Sequence, residues 1–450
     1  MVSKNDIYTL DIQNMTTDGN GIAKIDGYTL FVSGAVTGDR VKLKVLKAGK
    51  TYGFAKILDI EVPSPLRTSP DCEVFSTCGG CSLMHIDYDS QLKLKHTSVL
   101  DAMKRIGGFQ DIDVKPVMPA PSSLGYRNKI QVPVKDMDGK AQAGFFAPRS
   151  HRIAPAQNCL LQSPSCKQVI KCVLDWMEEY SVSAYDEISG MGTIRHIYVR
   201  EGFTSGEIMV SLVTNTKKLN HSAPLVDALG QINGVVSVMQ NINTKKTNVI
   251  LGDKNVCLFG RDYIYDTLNG IKFKISHNSF FQVNPVMTVP LYQKAIELLG
   301  DMSGKTVYDL YCGIGTISLF AACSAKKVIG IEYIPAAVYD AAQNAEINNF
   351  KNTEFYAGDA AEVFEKLYSE GITAHATIVD PPRKGCDAKL LDTLFKMNPE
   401  KIVYVSCNPA TLARDAKILC ENGYSPSAVY PFDCFPNTSH VECVMRLCRK

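Results

Sequence analysis

Three short stretches in the second half of the chain carry polar residues where packing alone would place apolar ones. Ile378-Val379-Asp380-Pro381-Pro382-Arg383-Lys384-Gly385 runs from an apolar strand into two prolines, which stiffen the loop and fix Asp380 at the strand's carboxyl edge. Val403-Tyr404-Val405-Ser406-Cys407-Asn408-Pro409 leaves the Cys407 thiol at the tip of a second apolar strand, and Ser439-His440-Val441-Glu442-Cys443-Val444 puts the Glu442 carboxylate on a late strand. Singly, each has a bland reading: Cys407 as one more buried thiol among 15 cysteines, Glu442 as a strand-edge charge. Together they supply a nucleophile and a base.

A fourth stretch, Asp309-Leu310-Tyr311-Cys312-Gly313-Ile314-Gly315-Thr316, sits where a strand turns into a helix. Gly313 and Gly315 permit a tight turn and close approach of a ligand to the helix N-terminus. Glu332, 23 residues after Asp309 at the end of the next strand, can accept both ribose hydroxyls of an adenosine moiety. The glycine motif is shorter than that of a dinucleotide site, which favours S-adenosylmethionine over NAD. A thiol, a carboxylate and such a methyl donor match the needs of methylation at a pyrimidine C5. Uracil C5 is a poor nucleophile until a thiolate adds at C6. The resulting enolate can attack a methyl sulfonium, and a base must then remove the C5 proton so that the thiol can leave.

The elements that must position these residues follow from periodicity. Beyond about residue 280, Thr306–Tyr311, Val328–Glu332, Ala376–Asp380 and Lys401–Ser406 read as short buried strands alternating with helices at 317–323, 336–348 and 390–397. That alternation predicts a doubly wound parallel sheet. Asn284-Pro285 opens a further helix that ends near Gly300. The first 60 residues alternate as five short strands with turn signals between them, which predicts a small β-barrel of the OB type, and Pro63-Ser64-Pro65 marks a linker. Residues 88–106 read as a helix, and residues 125–275 as strand-rich with one helix, 165–180. A basic run (Arg127, Lys129, Lys135, Lys140, Arg149, Arg152) against Asp136 and Asp138 fits an RNA contact or a solvated face equally well.

The chain of 450 residues has a net charge of +2 and 45% hydrophobic residues, which excludes disordered and fibrous classes. With no leader-like N-terminus and no long apolar run, a cytoplasmic protein free of membrane is expected, and its cysteines are not a disulfide framework. Cys72, Cys78 and Cys81, with Gly79-Gly80 between the last two, form a compact three-thiol nest. A fourth ligand is then needed, with Cys159 the candidate and Cys166 the fallback. Four thiolates suit an iron–sulfur cluster, and zinc is the chemical rival.

The motifs FFQVN (Phe280–Asn284), DLYCGIGT, DPPRKG, SCNP and HVE, in this order, resemble the RNA uracil-C5 methyltransferases, specifically the iron–sulfur-containing bacterial 23S rRNA branch. The resemblance runs over essentially the whole chain. It implies a Rossmann-like S-adenosylmethionine-dependent methyltransferase domain, an N-terminal RNA-binding TRAM barrel and a central α+β iron–sulfur domain. The implied boundaries are 1–62 for the barrel, 63–83 with 116–275 for the central domain, and 84–115 with 276–450 for the catalytic domain. It implies Cys407 as nucleophile and Glu442 as proton-abstracting base. Gln282, Tyr311, Gly313, Gly315, Glu332 and Asp380 are expected to contact the cofactor, and Asp380 also the target base. Phe280, Arg127 and Lys129 are expected to contact RNA. The C-x5-C-x2-C pattern with Cys159 corresponds to the family's [4Fe–4S] site. The expected reaction is methyl transfer from S-adenosyl-L-methionine to C5 of a uridine in 23S rRNA (1939, 747 or both), by a monomer. Transfer to tRNA, or RNA binding without catalysis, are the alternatives.

Overall fold

The computed structural model describes residues 2–155 and 157–450. At the N-terminus, β1 (Ile7–Asp11), β2 (Asn14–Met15), β3 (Gly21–Ile25), β4 (Tyr28–Ser33), β5 (Arg40–Ala48) and β6 (Tyr52–Val62) form one sheet in the order β1-β5-β6-β4-β3-β2. In β5 the alternation is explicit: Val41, Leu43 and Val45 are buried, while Arg40, Lys42 and Leu46 face outward. β1 also touches β3, so the sheet curls around Ala23, Leu30 and Leu43. The sixth strand, β2, is the one that alternation does not reveal, because two residues carry no period. The linker beyond β6 is pinned to the sheet by Arg67, whose guanidinium pairs with the fully buried Asp39 at 2.6 Å.

α1 (Tyr88–Arg105) starts at Asp87, whose side chain accepts from the Ser90 N–H. β7 (Lys129–Met137), β8 (Lys140–Phe146), β9 (Ile153–Pro155), α2 (Pro164–Glu179), β10 (Ile194–Glu201), β11 (Ile208–Thr214), α3 (Ser222–Gly230), β12 (Val235–Ile242) and β13 (Lys254–Gly260) follow. Their strands make a seven-stranded sheet, β13-β12-β11-β10-β7-β8-β9, with α2 and α3 packed in its core cluster. The segment therefore holds two helices rather than the one expected. α3 is short, contains Pro224 and starts from His221 in a left-handed conformation without a side-chain cap, so its local signals are poor.

A two-stranded hairpin, β14 (Tyr263–Leu268) and β15 (Ile271–Ser276), leads into the third sheet. That part comprises α4 (Pro285–Leu299), β16 (Thr306–Leu310), α5 (Thr316–Ala322), β17 (Lys327–Glu332), α6 (Pro335–Ile347), β18 (Thr353–Ala357), α7 (Ala360–Ser369) and β19 (Ala376–Val379). It continues through α8 (Ala388–Met397), β20 (Lys401–Ser406), α9 (Pro409–Glu421), β21 (Tyr424–Phe432) and β22 (Glu442–Arg449). The strand order is β18-β17-β16-β19-β20-β22-β21. The first five strands are parallel, but β22 runs antiparallel to both β20 and β21, which corrects the expectation of a wholly parallel sheet. The reversal has a chemical consequence. The amino end of β22 lies at the edge where the parallel strands have their carboxyl ends.

α1 packs on α9 and contributes Val99 and Met103 to the core of this third sheet. Its polar face is locked to the segment just before β22. Lys95 Nζ donates to Asp433 Oδ1 at 2.5 Å with both side chains buried, Tyr88 Oη donates to Asp433 Oδ2, and Gln91 and Asn437 exchange hydrogen bonds. Among the described residues, no helix is long and apolar enough to cross a membrane.

Candidate active site

β16 and β17 end side by side, and their loops are tied together. The Tyr311 and Cys312 N–H groups both donate to the Ile331 carbonyl, and Tyr311 takes a positive φ of 71°. Glu332 then spans the crevice mouth: Oε2 accepts from the Gly313 N–H at 3.1 Å and Oε1 from the Ile334 N–H at 3.0 Å. Gly313, with φ of 55°, supplies the turn that presents its N–H to that carboxylate. Each carboxylate oxygen keeps a second lone pair for a diol. Asp309, at the core of β16, accepts from Ser318 Oγ, yet its Oδ1 has no partner. Burial lifts its pKa to about 7, with the Glu332 charge adding to the effect.

Gln282 lies just before the start of α4. Asn128, the residue before β7, donates from its side chain to the Gln282 carbonyl at 3.0 Å and from its backbone to the Val283 carbonyl. Asn284 caps α4 and donates to the Cys434 carbonyl, so the FFQVN segment is clamped between the central sheet and the chain that precedes Glu442. Phe280 stands out from this segment with 63% of its surface exposed, unusual for a phenylalanine.

The remaining residues meet through strand register. Ser406 of β20 pairs with Cys443 of β22, so antiparallel geometry sets Cys407 opposite Glu442. Cys407 is half-buried; Glu442 is 3% exposed. Asn408 caps α9, and its side chain donates to the Arg383 carbonyl at 3.1 Å, joining the loop after β20 to the loop after β19. That second loop is further held by Asp415, which accepts from the Cys386 N–H. Gly385 belongs there because an added Cβ would lie 2.5 Å from Arg414 and 2.6 Å from Asp415.

The electrostatics form a chain of acids in a dry crevice. Burial raises Asp380 to about 7, with the Asp309 charge adding to it. Burial raises Glu442 to about 8, with Asp380 adding and Arg383 opposing. Burial raises Cys407 to about 11, with Glu442 and Asp380 adding and Arg383 opposing. Glu442 and Cys407 thus favour their neutral forms near pH 7, and a cation entering the crevice shifts all three groups toward ionisation. A methyl sulfonium is such a cation, and the thioether left after transfer is not.

Cys407 opens into a cavity of about 450 Å³ whose other walls come from far away in sequence. Arg383, Asn408, Ser439 and His440 form one side, Ser98, Asp101 and Arg105 of α1 another, and Thr17 and Asp18 of the turn between β2 and β3 a third. Arg383 and His440 lie inside recognisable motifs, yet nothing in the sequence alone gave them a role. The α1 and N-terminal residues carry no local signal, and only tertiary packing brings them here.

Arg127 and Lys129 are half-buried rather than spread over an open basic face. Burial, with Arg200 and Arg127 nearby, lowers the Lys129 ammonium to about 8. Arg127 lies toward the cysteines, where its charge acts on Cys81 and Cys159. Cys72, Cys81 and Cys159 pack around Met84, Tyr126 and Leu161, and the Gly80 N–H points at Cys78 Sγ at 3.3 Å. Burial first, and then the charges of Cys159, Cys78 and Cys72, push the Cys81 thiol up to about 12. Cys78 and Cys159 are raised too, by burial first and by neighbouring thiols, so these groups need cations to become thiolates, and the donor set suits a soft metal. Among the described residues, no three metal-binding side chains close on a single point. Cys166 lies outside that packing, buried at the start of α2 against Ser163, yet near enough to Cys159 for that charge to act on it.

The strand order, the acidic end of β17 and the glycine turn define the fold of an S-adenosylmethionine-dependent methyltransferase. The family model for tRNA (uracil-5-)-methyltransferase matches residues 204–450, and that for the TRAM domain matches residues 3–58. An uncharacterized RNA methyltransferase of Halalkalibacterium halodurans is 46% identical over 98% of this chain and 97% of its own. One of Clostridium tetani is 45% identical over 99% of this chain and 96% of its own. Among solved structures, the Pyrococcus abyssi tRNA (uracil-54, C5)-methyltransferase in complex with S-adenosyl-L-homocysteine is similar, with a TM-score of 0.77 and 28% identity, over 98% of this chain and all of that one. The chain belongs to the RNA uracil-C5 methyltransferase family, with a TRAM domain at its N-terminus.

Proposed function

We propose that the protein transfers a methyl group from S-adenosyl-L-methionine to C5 of a uridine in 23S rRNA, with Cys407 as nucleophile and Glu442 as base. The observation that carries this reading is the β20–β22 register, which sets a half-exposed thiol opposite a buried carboxylate at the cofactor edge of the sheet. Gln282, Tyr311, Gly313, Gly315, Glu332 and Asp380 hold the methyl donor, with Glu332 on the ribose hydroxyls.

Cys407 first gives its proton to solvent, helped by the Arg383 guanidinium and the cationic donor, and Glu442 releases its own to solvent as that cation enters. Its sulfur then bonds to C6 of the uracil, and the C5–C6 electron pair moves to give the enolate. C5 takes the methyl group, and the S–CH3 bond breaks to leave S-adenosyl-L-homocysteine. Glu442, ionised beside that chemistry, accepts the C5 proton as the C6–S bond breaks and returns the Cys407 thiolate. A uridine in folded RNA must be extruded to reach Cys407, and the exposed Phe280 ring is suited to stack on it. Arg127 and Lys129 are read as phosphate contacts.

Cys72, Cys78, Cys81 and Cys159 would hold a [4Fe–4S] cluster, which supplies cross-linking between the loop at 72–81 and the segment at 159. The methyl transfer is redox-neutral and draws no electron from it. The accompanying division is 1–62 for RNA binding, 63–83 with 116–275 around the cysteines, and 84–115 with 276–450 for catalysis. The packing of α1 on α9 supports the last assignment.

The 23S rRNA reading rests on the N-terminal barrel together with the cysteine cluster. The tRNA reading is favoured by the Pyrococcus abyssi protein, which aligns with 98% of this chain and so reaches into the N-terminal sheet. That sheet therefore does not separate the two substrates. Labelled S-adenosylmethionine with unmodified 23S rRNA and, separately, bulk tRNA, followed by nucleoside analysis, decides between them. 5-Methyluridine in 23S rRNA alone is the expected result; label in tRNA alone overturns the substrate assignment.

A further inference from the structure

One face of the β14–β15 hairpin packs inward through Ile264, Leu268, Phe273 and Ile275. Strand alternation turns Tyr263 and Tyr265 to the other face, where Tyr265 pairs with Lys274 across the hairpin. The two tyrosine rings lie 5.2 Å apart, centroid to centroid. The Arg261 guanidinium is 5.1 Å from both ring centres, Lys272 Nζ is 3.9 Å from that of Tyr265, and Lys274 Nζ is 4.6 Å from that of Tyr263. Each ring thus has two cations and the pair shares one.

One cation per ring would be enough to steady a hairpin. Three on two rings repel one another, and their charge is only partly cancelled. Arg261 is ion-paired with Glu207, whereas Lys274 Nζ donates to the neutral Gln343 Oε1 at 2.6 Å. Gln343 in turn donates to the hydroxyl of Tyr339 on α6, a third aromatic ring with 62% of its surface exposed. A partner that offers flat π-faces together with a row of negative charges satisfies both features.

The hairpin is also continuous with the site. Tyr263 pairs with Ser276, and Ser276 and Ser279 both donate to Asp340 Oδ2 at 2.7 Å. Arg200 donates to the carbonyls of the same two serines, so the turn that delivers Phe280 is rigid.

We propose that this face is a docking platform for a single-stranded stretch of the RNA substrate. Tyr263, Tyr265 and Tyr339 stack on bases, while Arg261, Lys272 and Lys274 neutralise the phosphates between them. The proposal rests on the RNA substrate proposed above. It extends the contact surface from Phe280 onto the hairpin.

The test is binding of a fluorescein-labelled, 20-nucleotide, uridine-rich single strand, read by fluorescence anisotropy. The Tyr263→Ala/Tyr265→Ala pair is expected to weaken binding by about tenfold or more. The Tyr263→Phe/Tyr265→Phe pair, which keeps the rings, binds within about twofold of the unsubstituted protein. Lys272→Ala/Lys274→Ala flattens the dependence of log K on log salt by about 1.4. S-Adenosylmethionine affinity stays unchanged in all three and reports an intact fold. Equal binding by the alanine and unsubstituted proteins overturns the platform, as does equal loss in the alanine and phenylalanine pairs. If the alanine pair does not fold, the salt slope of the lysine pair decides. Failure of the uracil-methylation reading is seen separately, as absence of methyl transfer by the unsubstituted protein that still binds the strand.

Discussion

Glu442→Gln is expected to make the protein harder to unfold and unable to complete its reaction. Burial beside Asp380 raises the folded-state pKa of Glu442 to about 8 from an ordinary 4.5. Between those two pH values the folded protein keeps a proton that the unfolded chain has released, so this group lowers stability as pH rises. The slope is about 1.36 kcal/mol per pH unit, and from pH 4.5 to 7 it accumulates to about 3 kcal/mol. Glutamine has nearly the same shape and never ionises, so the variant is spared that cost. Thermal melting of both proteins between pH 5 and 8 reads the difference directly. The variant should melt higher, by a gap that widens with pH and closes toward pH 4.5. A gap of zero at pH 8, or one independent of pH, would refute the dry environment from which the role of Glu442 is argued.

Four other outcomes follow from the same geometry. Cys407→Ala should abolish methyl transfer while S-adenosylmethionine binding, measured by calorimetry, stays within about twofold, because the thiol lies outside the glycine turn. Glu332→Ala removes a charged acceptor and should weaken that binding by about 10- to 100-fold. Because the acids Asp380 and Glu442 sit at about 7 and 8, entry of a cationic donor should release protons. S-Adenosylmethionine affinity then rises with pH from 6 to 9, whereas that of the neutral S-adenosyl-L-homocysteine stays flat by calorimetry. Lys95→Met strands the buried Asp433 and should cost about 3–5 kcal/mol, seen as a lowered melting temperature.

The parts of the molecule legible in the sequence are those with a strong local period or a cap. β20 and α4 fall where alternation and the Asn284-Pro285 cap place them. The direction of β22 is not a local property: Glu442-Cys443-Val444-Met445 reads as a buried strand whichever way it runs. Only its pairing with β20 turns the adjacency of Cys407 and Glu442 from a motif order into a geometry. The cavity wall supplied by Arg105 is likewise invisible to local reading, because it depends on α1 docking through Lys95 and Asp433, 338 positions apart. The basic run at 127–152 is only partly open: Lys140, Arg149 and Arg152 are exposed. Charge counting suggests an open patch, whereas Arg127 and Lys129 are half-buried between the cysteines and Arg200.

The pairing of Cys407 with Glu442 is tested most directly by mixing the Glu442→Gln protein with unmodified 23S rRNA and S-adenosylmethionine and analysing the product by denaturing electrophoresis and peptide mass spectrometry. A stable protein–RNA adduct is expected, with methylated uracil attached through C6 to the peptide that contains Cys407. Full turnover by that variant, or an adduct on any other cysteine, would contradict that pairing.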